Sequence, residues 1–225
     1  MMTLDMAKQT QNAEEPAEPS PQGFEALTDN DCAILARSGN EFAQCELVHR
    51  YTPGVYNLFV RTLGSRETAA DATQEVFLRV FRRLHDFDAR RDFQSWLFAI
   101  AWNFARDQLR RRATRKKGIQ GLYTSSFPAS SDGDDEVFEP ADRSSPTPFE
   151  ALERKERSEL VHDALSHLEP RQQAMLVLRE FEGLSYEELS EVFGCRIGTV
   201  KSGIHRARLE LKNKLMSLFP FTFEE

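Results

Sequence analysis

The sequence predicts an all-α protein of two small helical domains joined by a flexible acidic linker. Apolar residues recur at helical spacing from residue 29 to 117 and again from 150 to 217. Between these blocks, residues 118–149 are rich in Ser, Asp and Pro and carry no apolar stripe, the composition of a tether. No segment repeats, and none reads as a convincing strand.

Composition sets the broad class. Of 225 residues, 40% are hydrophobic and 29% charged, which suits a soluble globular chain. The three cysteines, Cys32, Cys45 and Cys195, match neither a zinc site nor a disulfide framework, so a reducing, cytoplasmic setting is expected. The N-terminus lacks the basic start and apolar core of a signal peptide. No apolar run reaches the ~20 residues of a membrane span, so direct membrane insertion is not expected. The net charge of −7 hides a segregation. Residues 1–31 hold seven acidic side chains and one lysine, and residues 118–150 hold seven acidic and one arginine. From Arg90 to Lys117 nine basic side chains stand against two acidic ones, and from Arg196 to Lys214 six stand against one. Two basic patches set apart by acidic segments point to two nucleic-acid contacts.

In chain order, residues 1–28 are rich in Glu, Pro, Gln and Ala without a helical stripe, and a disordered acidic extension is expected there. In the first domain, 29–117, a helix from Ser65 to Leu84 sets Val76, Phe77, Val80, Phe81 and Leu84 on one face. Its other face holds Asp71, Glu75, Leu78 and Arg82. Leu78 among those charges reads either as a singly exposed leucine or as the apolar centre of a docking face with a charged rim. The next helix begins near Phe93 and runs into RRRATRKK. Phe93, Leu97, Ile100 and Phe104 form its core stripe, Trp96 flanks it, and the other face carries Phe98, Trp102, Asn103, Arg106 and Arg110. Aromatics interleaved with arginines suit single-stranded nucleic acid, because bases stack on rings at ~1–3 kcal/mol each while cations track the phosphates. Trp102 serves equally well as a core residue, and spacing leaves both readings open.

In the second domain, 150–217, Leu160, Val161, Ala164, Leu165 and Leu168 form one stripe. Pro170 opens the next helix, where its missing N–H costs little, and Ala174, Leu178 and Phe181 line its core face until Gly183 ends it. Ser185 and Glu188 make a capping box before a short helix to Phe193, with Leu184 and Leu189 placed as a hydrophobic staple. Gly194 supplies a tight turn. The last helix, from about Ile197 to Met216, turns Val200, Ile204, Ala207 and Leu211 inward and Ser202, His205, Arg206 and Leu209 outward, with Lys201 and Arg208 on the flank. A helix held by its apolar face with basic and hydroxyl groups outward can enter a major groove. Residues 218–225 form a tail in which Phe219, Phe221 and Phe223 alternate.

The segment GLSYEELSEVFGCRIGTVKSGIHRARLEL resembles region 4 of extracytoplasmic-function (ECF) sigma factors of the sigma-70 family. The resemblance implies −35 promoter recognition by Lys201, Ser202, His205 and Arg206, with Thr199 and Arg196 near the DNA backbone. The family often has a basic residue where this chain has Gly203. DATQEVFLRVFRRL is similar to the family's region 2 and implies docking on core RNA polymerase through Asp71, Gln74, Glu75 and Leu78. HDFDARRDFQSWLFAIAWNFARDQLRRR looks like the part of region 2 that opens the −10 element. By position, Phe87 and Asn103 contribute to a pocket for a flipped base, and Arg106 and Arg110 hold the melted strand; Trp102 joins this set from the aromatic-basic pattern alone, as a candidate stacking ring. The two blocks stand in the family's order and spacing, so the implied function is promoter-specific transcription initiation. The implied partners are core RNA polymerase and promoter DNA, both duplex and melted, with an anti-sigma factor as a further candidate. The acidic linker reads as a solvated tether or as an imitation of nucleic acid inside a polymerase channel.

No nucleotide-binding loop, metal cluster or nucleophile–base pair stands out, so neither a cofactor, a metal nor catalysis is expected. His49, His85 and His162 are scattered. Two competing readings are a duplex-binding regulator with a sensory first domain and an antagonist that borrows a sigma-like surface.

Overall fold

The computed structural model describes residues 26–119 and 160–218. The extension, the linker and the tail expected from the sequence lie almost wholly outside the described residues. Within the described residues the chain is helical, with no strand, and forms two helical units in contact.

The first unit holds α1 (Asp29–Arg37), α2 (Glu41–Leu63), α3 (Arg66–Arg83) and α4 (Phe93–Ile119), with a 3-10 turn at Leu84–Asp86. Each of the first three helices begins where a short polar side chain accepts an otherwise unpaired N–H. Thr28 caps α1, Asn40 caps α2 through the Ala43 N–H at 3.0 Å, and Ser65 caps α3. Gly64 ends α2 in the left-handed conformation at φ 69°, a geometry that glycine adopts without steric cost. Inside the unit, Arg50 on α2 donates to Asp29 and Glu46, each at 2.7 Å, and to the Leu27 carbonyl at 2.9 Å. The Tyr51 hydroxyl donates to the other Asp29 oxygen at 2.6 Å, so the start of α1 is tied to the middle of α2.

The second unit holds α5 (residues 160–166), α6 (Pro170–Glu180), α7 (Tyr186–Phe193) and α8 (Ile197–Leu218). Pro170 opens α6 as expected, and Glu169 caps it by accepting from the Gln172 N–H. Two expectations for α6 are corrected. The helix ends at Glu180, so Gly183, at φ 72°, lies in the following turn rather than at the helix end. Phe181 is 52% exposed instead of facing the core, because the helix has ended and the ring turns toward the first unit. There the Arg61 guanidinium stands 4.3 Å above it.

The central element is α4. It packs on α1, α2 and α3 along one side and on α7 along another. The exposed face expected for Phe98 and Trp102 is therefore absent. Phe98 is fully buried, edge-on to Tyr51 at 6.3 Å, and Trp102 is 4% exposed against Phe193 at 5.0 Å. A helix enclosed on several sides is apolar nearly all round, and such a pattern gives no single stripe to read. Past Phe104 the helix emerges into solvent and becomes basic. There the Arg112 side chain reaches across to α2, donating to the Leu63 carbonyl at 2.6 Å and so satisfying an acceptor left open at the end of that helix.

Candidate nucleic-acid interface

The helix-turn-helix is α7, a turn and α8. Its capping box is complete. The Glu188 N–H donates to Ser185 Oγ at 3.1 Å, and the Ser185 N–H donates to the Glu188 carboxylate at 2.6 Å. Leu184 and Leu189, the expected staple, are both buried. Gly194 turns the chain at φ 56°, and Ser190 Oγ fixes the turn by donating to the Cys195 carbonyl at 2.6 Å. The recognition helix α8 is seated by Val200, Ile204 and Ala207, all buried. Arg196, Thr199, Lys201, Ser202, His205 and Arg206 all lie exposed.

Gly203 is buried, and its position in α8 has a packing cause. A Cβ there would stand 2.8 Å from Met175 Sδ on α6, so the glycine lets the two helices approach. A side chain at this position would first meet the Met175 thioether, which would have to shift to admit it. The other cations on and beside α8 differ in freedom. Arg208 is paired with Glu180 at 2.6 Å. Lys201 Nζ rests 5.6 Å above the Tyr186 ring, and the Arg179 guanidinium lies 5.0 Å from the same ring. Tyr186 was not singled out by sequence. It stands at the first position of α7 and holds Lys201 close to the surface that α8 presents.

The second basic region is the loop from Phe87 to Asp92 and the helix after it. Phe87 is only 3% exposed, packed edge-on to Phe93 at 5.4 Å and tilted against Trp96 at 5.2 Å. Trp96 is half-buried, so it is the ring of this cluster that reaches the surface. Asn30 on α1 clamps the loop. It donates to the Ala89 and Arg91 carbonyls at 3.0 and 2.9 Å and accepts from the Phe93 N–H at 2.9 Å. No local signal marks Asn30, because its partners are about sixty positions away and the motif TDND reads only as a helix start. Asp88 receives Arg90 at 2.8 Å, and these hydrogen bonds lower its carboxyl to about 2, below the ordinary carboxylate range. Along α4, Asn103, Arg106 and Arg110 are exposed, while Trp102 lies beneath α7.

On α3, Asp71, Gln74 and Leu78 are exposed, Leu78 by 52%, in a polar surround. Glu75 pairs with Arg79 at 2.8 Å, which lowers its carboxyl below the usual value. The Arg79 guanidinium lies 4.6 Å from the Phe104 ring, so the pair is held onto α4. Among the described residues no group of three or more His, Cys, Asp or Glu side chains is arranged to hold a metal ion. No helix among them is long and apolar enough to cross a membrane.

A helix-turn-helix with an outward basic face, packed beside a helical unit that has its own basic helix, defines a two-part DNA-binding protein. Comparison with known proteins gives the family. Residues 47–115 match the family described as Sigma-70 region 2, and residues 158–211 match Sigma-70, region 4. The RNA polymerase sigma-H factor of Pseudomonas aeruginosa is 35% identical, with 84% of this chain and 95% of that protein covered. The ECF RNA polymerase sigma-E factor of Escherichia coli is 32% identical, with 86% and 97% covered. The ECF RNA polymerase sigma factor SigE of Mycolicibacterium smegmatis is 30% identical, with 93% and 81% covered. Among solved structures, CnrH in complex with the cytosolic domain of CnrY is similar at a TM-score of 0.59 and 25% identity, covering 84% of this chain and 97% of that one. The chain belongs to the sigma-70 family of RNA polymerase sigma factors, in its ECF subgroup. Its class is therefore that of transcription initiation factors rather than enzymes.

Proposed function

We propose that this sigma factor docks on core RNA polymerase through α3, reads the −35 element with α8 and holds the melted −10 element along α4. It acts in the cytoplasm, with region 2 spanning residues 29–117 and region 4 residues 150–217. The observation that carries the reading is the outward row on α8. Arg196, just before α8, and Thr199, Lys201, Ser202, His205 and Arg206 on it are all exposed, while the other side of the helix is locked in the core. Such a row has the reach and chemistry for guanine edges and phosphates in a major groove. Docking is assigned to Asp71, Gln74, Glu75 and Leu78, an exposed leucine within a polar rim. Melting is assigned to Asn103, Arg106 and Arg110, already exposed, and to Phe87 and Trp102, which are covered. Binding free energy from these contacts offsets the cost of unstacking a few base steps.

Run-off transcription with core polymerase, with and without the chain, is the test. A promoter-dependent transcript is expected only with it, and its absence on every genomic promoter fragment would sink the reading. Trp102→Ala is expected to impair initiation on duplex templates more than on a pre-melted bubble. Equal defects would remove Trp102 from melting.

CnrH is seen with CnrY, and a Bartonella quintana sigma factor RpoE is seen with the anti-sigma factor NepR. A protein antagonist of that kind is proposed here as well. Retention of the chain by a protein from its own gene neighbourhood, with loss of transcription, would support it.

A further inference from the structure

We propose that region 4 is a lid over the melting surface of region 2, so that this sigma factor rests in a closed form that exposes its duplex-reading and docking faces but hides Trp102. The inference rests on the reading of Trp102 as a stacking surface. Its evidence is a seam between the units made of specific contacts. Phe193 of α7 covers the indole of Trp102, with centroids 5.0 Å apart. The Gln173 side chain, 3% exposed, reaches from α6 and donates to the Arg61 carbonyl at 2.7 Å, in the last turn of α2. Phe181 lies under the Arg61 guanidinium at 4.3 Å. At the other end, Arg91 of the 87–92 loop pairs with Glu191 of α7 at 2.6 Å, and Gln94 donates to the Glu182 carbonyl at 3.2 Å. The Glu182 carboxylate fills the space that a Cβ on Gly54 would occupy.

What the seam covers is selective. Trp102 is hidden, yet Asn103, Arg106 and Arg110 on the same helix are open to solvent. The row on α8 is open, and so are Asp71, Gln74 and Leu78 on α3. The closed form can therefore meet polymerase and duplex while lacking the ring on which an unstacked base would rest. A base can stack on Trp102 only after α7 moves away. Opening costs the buried Gln173 hydrogen bond and the two aromatic contacts, and a binding-competent state present as a minor fraction weakens the apparent affinity by that fraction.

The test uses the full chain in a Trp96→Phe background, so that Trp102 is the only tryptophan. Glu191→Arg places a second cation against Arg91, and Gln173→Ala leaves the Arg61 carbonyl without this donor. Neither residue belongs to the docking, duplex or melting sets. The parent is expected to show a blue-shifted emission poorly quenched by acrylamide. Each variant is expected to shift the emission to the red and to bind a labelled single-stranded −10 oligonucleotide roughly tenfold more tightly, the discount imposed by an open fraction of about 10%. The charge-swapped pair Arg91→Glu with Glu191→Arg is expected to return the emission toward the blue.

Exposure of Trp102 without tighter binding of the oligonucleotide would overturn the lid, as would an emission unchanged in both variants. Glu191→Arg lies on an exposed surface, so it remains informative if Gln173→Ala fails to fold. Run-off transcription by the parent separates the two claims. If the parent initiates but the opening variants gain nothing, the lid alone fails, whereas loss of promoter-dependent transcription in the parent removes the underlying function.

Discussion

At the scale of single residues, two side chains have roles that their local sequence does not announce. Gly203 is a packing residue. Gly203→Val is expected to destabilise region 4 by about 1–3 kcal/mol, the usual cost of forcing atoms into a filled contact. Urea denaturation measures it, and shortening Met175 to Ala in the same chain is expected to recover part of the loss. Recovery of nothing would mean that Met175 is not the obstacle. Asn30 is a clamp. Asn30→Ala removes three hydrogen bonds to the 89–93 backbone. The expected result is faster amide exchange in the loop and weaker binding of single-stranded −10 DNA, with −35 duplex binding unchanged. A parallel loss in both binding assays would mean a global defect instead.

At the scale of elements, what was legible was what is encoded locally. The capping box at Ser185 and Glu188, the Pro170 start, the Gly194 turn and the inward stripe of α8 all follow from side chains that act within one helical turn. Removing the Ser185 hydroxyl is expected to cost ~1 kcal/mol of region 4 stability, as N-cap losses do. A shift in the urea midpoint would show it, and no shift would mean that Glu188 alone suffices. What was not legible depended on neighbours distant in sequence. Phe98 and Trp102 fell on an expected outer face because α4 looks two-sided until α7 and α2 enclose it. Phe181 fell on an expected inner face because the end of α6 is set by a turn two residues earlier than Gly183. The row on α8 was legible because a recognition helix leaves one face free. The loop around Phe87 was not, since its shape is imposed by Asn30 from another helix.

At the scale of the whole molecule, the seam joins the two units through α4 with α7 and α2 with α6. The parent is expected to unfold in urea in a single transition, and Glu191→Arg with Gln173→Ala is expected to split it into two. A single transition in both chains would mean that coupling does not depend on these contacts. Glu182 adds a pH term to the seam. Burial raises its carboxyl above the usual 4.5, so the charged form is the one disfavoured in the closed state. A carboxyl with a raised value lends its full stability below the unfolded value and loses it as pH rises through the folded one. Glu182→Gln is therefore expected to raise the urea midpoint at neutral pH and to leave it nearly unchanged in acid. The opposite order would place the carboxylate in a favourable ion pair. Gln173 has a last consequence for how the chain can be divided. The last turn of α2 receives a side-chain donor supplied 112 positions later. A break in the backbone between residues 120 and 159 would put the Arg61 carbonyl in one fragment and its Gln173 donor in the other. Each fragment then carries one side of the contact, and because a seam open in about 10% of molecules is held by little more than about 1 kcal/mol, the tether itself is what keeps the two halves together.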